Sequence, residues 1–157
     1  MRISLSKAVF GDCVEIHRMQ VSAFTELLLK YQDYDTNPAS ESLEIIEYKF
    51  NQDFTDYHFI MADNIKIGAV RVVKLSEETH RISPIFILPE YQNKGYAQKA
   101  VAEIENFYPN VKEWKLDTIK QEIKLCHLYE KCGYTATGKE EDIKDGMTIA
   151  YYQKKTN

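Results

Sequence analysis

The sequence predicts a mixed α/β fold of the α+β kind in a single domain, residues 1–157. Its sheet is mostly antiparallel with one parallel strand pair, flanked by about four helices. Three observations carry this. From Tyr57 to Ile87 three β-rich runs follow one another across short polar turns, so they pair antiparallel. A strongly periodic helix then separates the run ending at Ile87 from one at Trp114 to Thr118. Strand, helix, strand in that order makes a right-handed crossover with those two strands parallel. Two further β-rich runs close the chain, joined at the turn signal Asp145-Gly146.

In order, Arg2 to Lys7 alternates, with Ile3 and Leu5 on one face, and reads as a first strand. Asp12 followed by Glu15 predicts a capping box for the next helix, whose stripe is Ile16, Ala23, Phe24, Leu27, Leu28 and Tyr31. Gln32 to Ser40 is polar and proline-containing, a loop or frayed helix end. A second helix runs from Ser42 to about Asn51, with Leu43, Ile46 and Phe50 apolar. Tyr57 to Ala62 and Lys66 to Lys74 form a hairpin through Asp63-Asn64-Ile65. Ser76 to Thr79 turns into the strand Arg81 to Ile87, where Pro84 fits a bulge or an edge better than a fully paired centre.

After a loop at Pro89 to Ala97, the positions Ala97, Ala100, Val101, Ile104, Phe107 and Tyr108 line one helix face, and Pro109 and Asn110 end it. The next helix puts Leu125, Leu128, Tyr129 and Cys132 on one face and stops at Gly133. Tyr134 to Lys139 and Met147 to Lys154 are the closing strands.

Composition narrows the function classes. The chain is 44% hydrophobic and 28% charged, ordinary for a globular protein. A net charge of −4 argues against a general nucleic-acid binder, which needs a basic field. No apolar run reaches spanning length and no signal-peptide core opens the chain, so neither a membrane nor export is expected. Cys13, Cys126 and Cys132 form no CxxC pair and read as reduced thiols of a cytoplasmic protein. The four histidines share no ligand spacing with them, so no metal site is expected. Neither GxGxxG nor GxxxxGK[ST] occurs, which disfavours nucleotide-binding folds.

The loop before the long helix is the candidate site. Helix starts carry unpaired N–H groups and the positive end of the helix dipole, and so suit anions. Gly95 lets a ligand approach the backbone and permits positive φ. On spacing alone this is either a phosphate cradle or an ordinary βα connection.

The run Ile85-x-Ile87-x-Pro89-Glu90-Tyr91-Gln92-x-x-Gly95-x-Ala97 resembles the acyl-CoA motif of the GNAT N-acetyltransferases. Leu128-Tyr129-Glu130-Lys131-Cys132-Gly133-Tyr134 resembles the helix-to-strand junction that follows in the same family. The close matches cover about a third of the chain, in the family's order.

The resemblance implies a GNAT fold in which the strand ending at Ile87 splays from its parallel neighbour. It implies acetyl-CoA as co-substrate, no metal, and direct transfer of acetyl to a primary amine of a small molecule or peptide. Cofactor contacts fall on Ile85, Phe86 and Ile87 and on Gln92, Asn93, Lys94, Gly95, Tyr96 and Ala97. Backbone amides from about Asn93 to Ala97 would cradle the pyrophosphate, and an N–H near Ile87 would polarise the thioester carbonyl.

Tyr129 matches the tyrosine that protonates the leaving thiolate, where helical spacing alone would place it in packing. The acceptor wall includes Tyr31 and Tyr34, in an acidic and aromatic connection with Asp33 and Asp35, and Asp117 flanks the cleft. For a general base, Asp117, His80 or Glu26 acting through water are the residues to weigh, or ordered water alone. Glu122 departs from the family's usual Asn, and Leu125 from its usual Ala. The resemblance also allows a homodimer. The competing class is a non-catalytic acyl-CoA-binding or regulatory module of the same fold.

Overall fold

The computed structural model describes residues 1–156; Asn157, the last residue of the expected domain, lies outside them. Seven strands make one sheet: β1 (Ile3–Lys7), β2 (Thr55–Ala62), β3 (Ile65–Lys74), β4 (Thr79–Ile87), β5 (Glu113–Ile119), β6 (Thr135–Lys144) and β7 (Met147–Lys155). Their order is β1-β2-β3-β4-β5-β7-β6. Every neighbouring pair is antiparallel except β4 and β5. Four helices flank it: α1 (Cys13–Tyr31), α2 (Leu43–Phe50), α3 (Tyr96–Phe107) and α4 (Ile123–Lys131). The expected mixed sheet, parallel pair and helix number are all present.

Strand alternation divides the core in two. On one face Ile60, Val70, Ile82, Trp114 and Leu116 pack with Ala100, Val101 and Ile104 of α3 and Tyr129 of α4. On the other, Phe59, Ala69 and Phe86 pack with Ile16 and Met19 of α1 and Ile46 of α2. Burying Ile104 completely is worth roughly 2–3 kcal/mol, which anchors the helix whose start forms the candidate site.

The β3–β4 pairing carries a bulge. Val70 faces Ile85 while Val72 faces Ile82, so β4 holds an extra residue at Ser83-Pro84, as the proline suggested. The Ser83–Pro84 peptide is cis. Arg71 Nη1 donates to the Ser83 carbonyl at 3.0 Å, satisfying a group that the bulge removes from the ladder. Beside it the strands come very close: a Cβ on Gly68 would lie 2.0 Å from the Phe86 carbonyl oxygen. Only glycine fits there.

Three sequence expectations are corrected. Asp12 does precede α1, but its carboxylate accepts from the Val9 N–H at 2.8 Å and Glu15 pairs with Lys66 at 2.6 Å. The capping box is therefore not formed; a 3₁₀ turn at Phe10–Asp12 competes for the cap. Strand β6 runs to Lys144, five residues beyond the expected Lys139. It is exposed along nearly its whole length, so it lacks the apolar alternation that marks a half-buried strand. Phe107 is the exposed member of the α3 stripe, 49% accessible.

At the paired end of β4 the interior holds a polar group. His58 is wholly buried, with Nε2 2.6 Å from the Tyr108 hydroxyl. Tyr108 in turn donates to Asp56 at 2.9 Å. The hydroxyl therefore accepts from His58 Nε2–H, and Nδ1 is the unprotonated nitrogen, buried without a partner among the described residues. Protonating it would bury an unpaired N–H. Burial accordingly lowers the His58 pKa to about 4, against the opposing pull of Asp56.

Candidate active site

Strands β4 and β5 pair only at Thr79↔Glu113, His80↔Trp114 and Arg81↔Lys115. Beyond that rung they separate, leaving a gap between Ile82–Ile87 and Leu116–Ile119. The other edge of β4 stays paired with β3 as far as Gly68↔Ile87. Leu88 N–H then donates to the Ile67 carbonyl at 2.7 Å. Backbone groups alternate along a strand, so the N–H groups of Ile87 and Ile85 point into the gap. The splay is the expected one, and it presents an unpaired strand edge to an extended ligand. Phe86 lies on the opposite side, edge-on to Phe24 with centroids 5.7 Å apart.

At the end of β4 the chain makes a 3₁₀ turn at Pro89–Tyr91 and enters α3 through two left-handed residues, Asn93 (φ 63°) and Gly95 (φ 80°). No side chain among the described residues caps α3. Nor, among them, do the backbone N–H groups of Asn93, Lys94, Gly95, Tyr96, Ala97 and Gln98 find an acceptor in the protein. A Cβ at Gly95 would meet nothing within 4 Å, so the space above the loop is open. These are the features of an anion nest. Lys94 is exposed and in no ion pair among the described residues. Gln92 is placed differently from expectation: its Nε2 donates to the Ile87 carbonyl at 2.8 Å, tying the loop to the strand end.

Helix α4 brings Tyr129 to this core, 7% exposed and edge-on to Tyr134. Its hydroxyl forms no hydrogen bond among the described residues, as is true of buried Tyr57 and Tyr152, whereas those of Tyr31, Tyr108 and Tyr134 are bonded. Burial, helped by Cys132 and Asp117, pushes the Tyr129 pKa well above the usual phenol range. Tyr129 is a neutral, uncommitted donor at every ordinary pH.

The acceptor-side residues divide. Asp117 accepts from Arg81 Nη2 at 2.9 Å. Tyr31 is buried and donates to Glu122 Oε2 at 2.5 Å, while Lys30 Nζ donates to the same oxygen at 2.7 Å. Burial raises the Glu122 pKa, but these two bonds outweigh it and hold the carboxyl below its usual value. Tyr34 lines a cavity of about 370 Å³ with Asp35, Glu41, Ser83 and Pro84, between the α1–α2 connection and the β4 bulge. Asp33 is buried and accepts from Thr36 and Asn37, so it shapes the connection from within. Glu26 is exposed on α1. His80 packs against Tyr108 and Trp114 at the paired end of the strands, away from the gap.

Sequence reasoning missed Arg81, Lys30 and Glu41. Gln20 was missed too, wholly buried and donating to Pro38 and Glu41. No short-range pattern marks any of them, because each meets a partner on another element of the fold.

The Acetyltransferase (GNAT) family profile matches residues 14–134. The chain is 26% identical over 135 residues to the spermidine N(1)-acetyltransferase of Vibrio cholerae, covering 82% of this chain and 76% of that protein. Its structure is similar to that of the V. cholerae spermidine N-acetyltransferase in complex with CoA and spermine. There the TM-score is 0.76 at 21% identity, over 96% and 94% of the two chains. That enzyme has also been solved as a dodecamer, TM-score 0.70 at 21% identity over 98% and 93%. An acetyltransferase from Thermus thermophilus superposes at TM-score 0.75 with 12% identity, over 99% and 98%.

Proposed function

The chain belongs to the acetyltransferase (GNAT) family and is an acetyl-CoA-dependent N-acetyltransferase, and we propose that its acceptor is a primary amine of a cationic di- or polyamine, attacking directly in a ternary complex. The observation that carries this reading is the β4–β5 gap: an open strand edge that ends at an anion nest, flanked by the core cluster that holds Tyr129 with Ile82, Ile87 and Leu116.

Acetyl-CoA supplies the activated thioester. The residues present fit it, because the run of free N–H groups around an open Gly95 matches a pyrophosphate. Asn93 to Ala97 would hold that group through their backbone, with Lys94 adding a point charge. Gln92 serves by fixing the loop. The N–H groups of Ile85 and Ile87 would bond the pantetheine arm in the manner of an added strand, and Ile87 N–H would face the thioester carbonyl. Phe86 supports this edge from the other face.

Tyr129 donates a hydrogen bond to the departing sulfur. Its raised pKa disfavours full proton transfer to a thiolate. The hydroxyl therefore acts as a neutral hydrogen-bond donor whose bond strengthens as negative charge develops on the sulfur, which favours the transition state over the ground state. Among the described residues no carboxylate or imidazole stands free in the gap as a base, since Asp117 is held by Arg81 and His80 is elsewhere. The ammonium's proton therefore leaves through water. On the acceptor side Tyr34 and Asp35 offer an aromatic face and a carboxylate in no ion pair among the described residues, suited to an organic cation. The relative's named substrate, spermidine, is of that class.

Free Cys13, Cys126 and Cys132 suit a reducing compartment, so the cytoplasm is the proposed location. Among the described residues no helix is long and apolar enough to cross a membrane. A homo-oligomer is proposed by analogy with the V. cholerae enzyme.

The test is thiol release from acetyl-CoA across polyamines, aminoglycosides, amino acids and peptide N-termini. Polyamines are expected to give the highest kcat/KM. A protein that binds CoA and releases thiol with no amine would instead be the non-catalytic module.

A further inference from the structure

Glu122 stands where the family usually has Asn, and its geometry differs from that of a cofactor contact. It is the N-cap residue of α4, yet its side chain does not cap the helix. It turns to the end of α1, where Oε2 accepts from both Lys30 and Tyr31. Oε1 accepts from nothing among the described residues, and the side chain keeps 20% of its exposure. Lys30 Nζ also lies 5.2 Å from the Tyr31 ring centroid. A carboxylate at 2.7 Å and an aromatic ring within cation–π reach are what a primary alkylammonium requires. Lys30 itself is 58% exposed, on a flexible stem that can swing away.

Placement completes the inference. Glu122 follows the end of β5 and so lies at the open mouth of the gap. It precedes Tyr129 by seven residues, two helical turns, which puts both on one side of α4 about 10 Å apart along the axis. That is close to the reach of an extended triamine from one terminal nitrogen to the other.

We propose that Glu122 and Tyr31 form an ammonium subsite at the mouth of the gap, held by the chain's own Lys30, which takes the second ammonium of a long di- or polyamine whose first nitrogen is acetylated. Lys30 is an internal competitor, and Glu122 determines specificity rather than chemistry. The inference rests on the amine-transfer reading above.

Two measurements separate them. Spermidine and butylamine, with and without a distal ammonium, are compared by kcat/KM in Lys30→Gln and Glu122→Gln. The preference for spermidine should rise roughly three- to tenfold in the first variant and fall by a similar factor in the second. Calorimetric titration of spermidine into CoA-loaded protein reads the subsite without turnover, and its Kd should move in the same two directions. Both substitutions keep a side chain of similar length, and the amide oxygen that Glu122→Gln introduces still accepts from Tyr31. An unmoved preference, or a spermidine Kd indifferent to both variants, overturns the subsite. Shifted Kd values in a protein that releases no thiol would support the subsite and overturn the transfer reading instead.

Discussion

The Arg81 guanidinium reaches from β4 across to Asp117 on β5, Nη2 to Oδ1 at 2.9 Å, just past the last paired rung, Arg81↔Lys115. The two strands stop hydrogen bonding there, and this ion pair pins the base of the gap. It also commits the carboxylate that the sequence offered as a general base.

Asp117→Asn is therefore expected to keep kcat within about fivefold of the parent and to leave the pH–rate profile unchanged in shape. Arg81→Ala loosens the pin instead, and should raise KM for acetyl-CoA several-fold. Loss of roughly 100-fold or more in kcat for Asp117→Asn, the usual scale for removing a general base, would restore Asp117 to that role.

Gly95→Val tests the nest. Its φ of 80° is open to glycine and strained for a β-branched residue, although an added Cβ would clash with nothing. The loop should shift while the buried face of α3 holds the helix in place. CoA affinity is expected to fall tenfold or more by calorimetry, with a cooperative melt retained. Unchanged affinity would remove the loop from the binding site.

His58 gives a pH dependence of stability. Its folded-state pKa of about 4 is below the unfolded value near 6.5, so between those limits the unfolded chain binds more protons. Stability is then lost as pH falls from about 6.5 to about 4, and this contribution levels off below that. The full effect is on the order of 3 kcal/mol. His58→Gln keeps a donor for Tyr108, and should lose less stability than the parent over the same range in urea titrations. Parallel losses in the two proteins would contradict the assignment.

The sequence was informative where the physics is local. The 3.6-residue periodicity of α3, the β-rich runs from Tyr57 to Ile87 and the breakers Gly95 and Gly133 each act within a few residues, and they placed the loop, the parallel pair and Tyr129. Pro84 even located the bulge. Pairings across elements were not legible. Glu122 meets Lys30 and Tyr31 over separations of 92 and 91 residues, and Arg81 meets Asp117 over 36. No spacing rule carries such contacts. Tyr31 accordingly read as a free acceptor contact, although its hydroxyl is already engaged. Strand β6 was cut short for a different reason, since an edge strand wet on both faces shows no apolar pattern.

Tyr129→Phe, assayed for turnover and CoA affinity on the same preparation, is the most direct test of acetyl transfer in the β4–β5 gap. Because the hydroxyl is uncommitted, removing it should cost the fold little, leave CoA affinity within about twofold and lower kcat by more than tenfold. Equal turnover in the two proteins would return Tyr129 to the core and contradict its role as donor to the leaving sulfur.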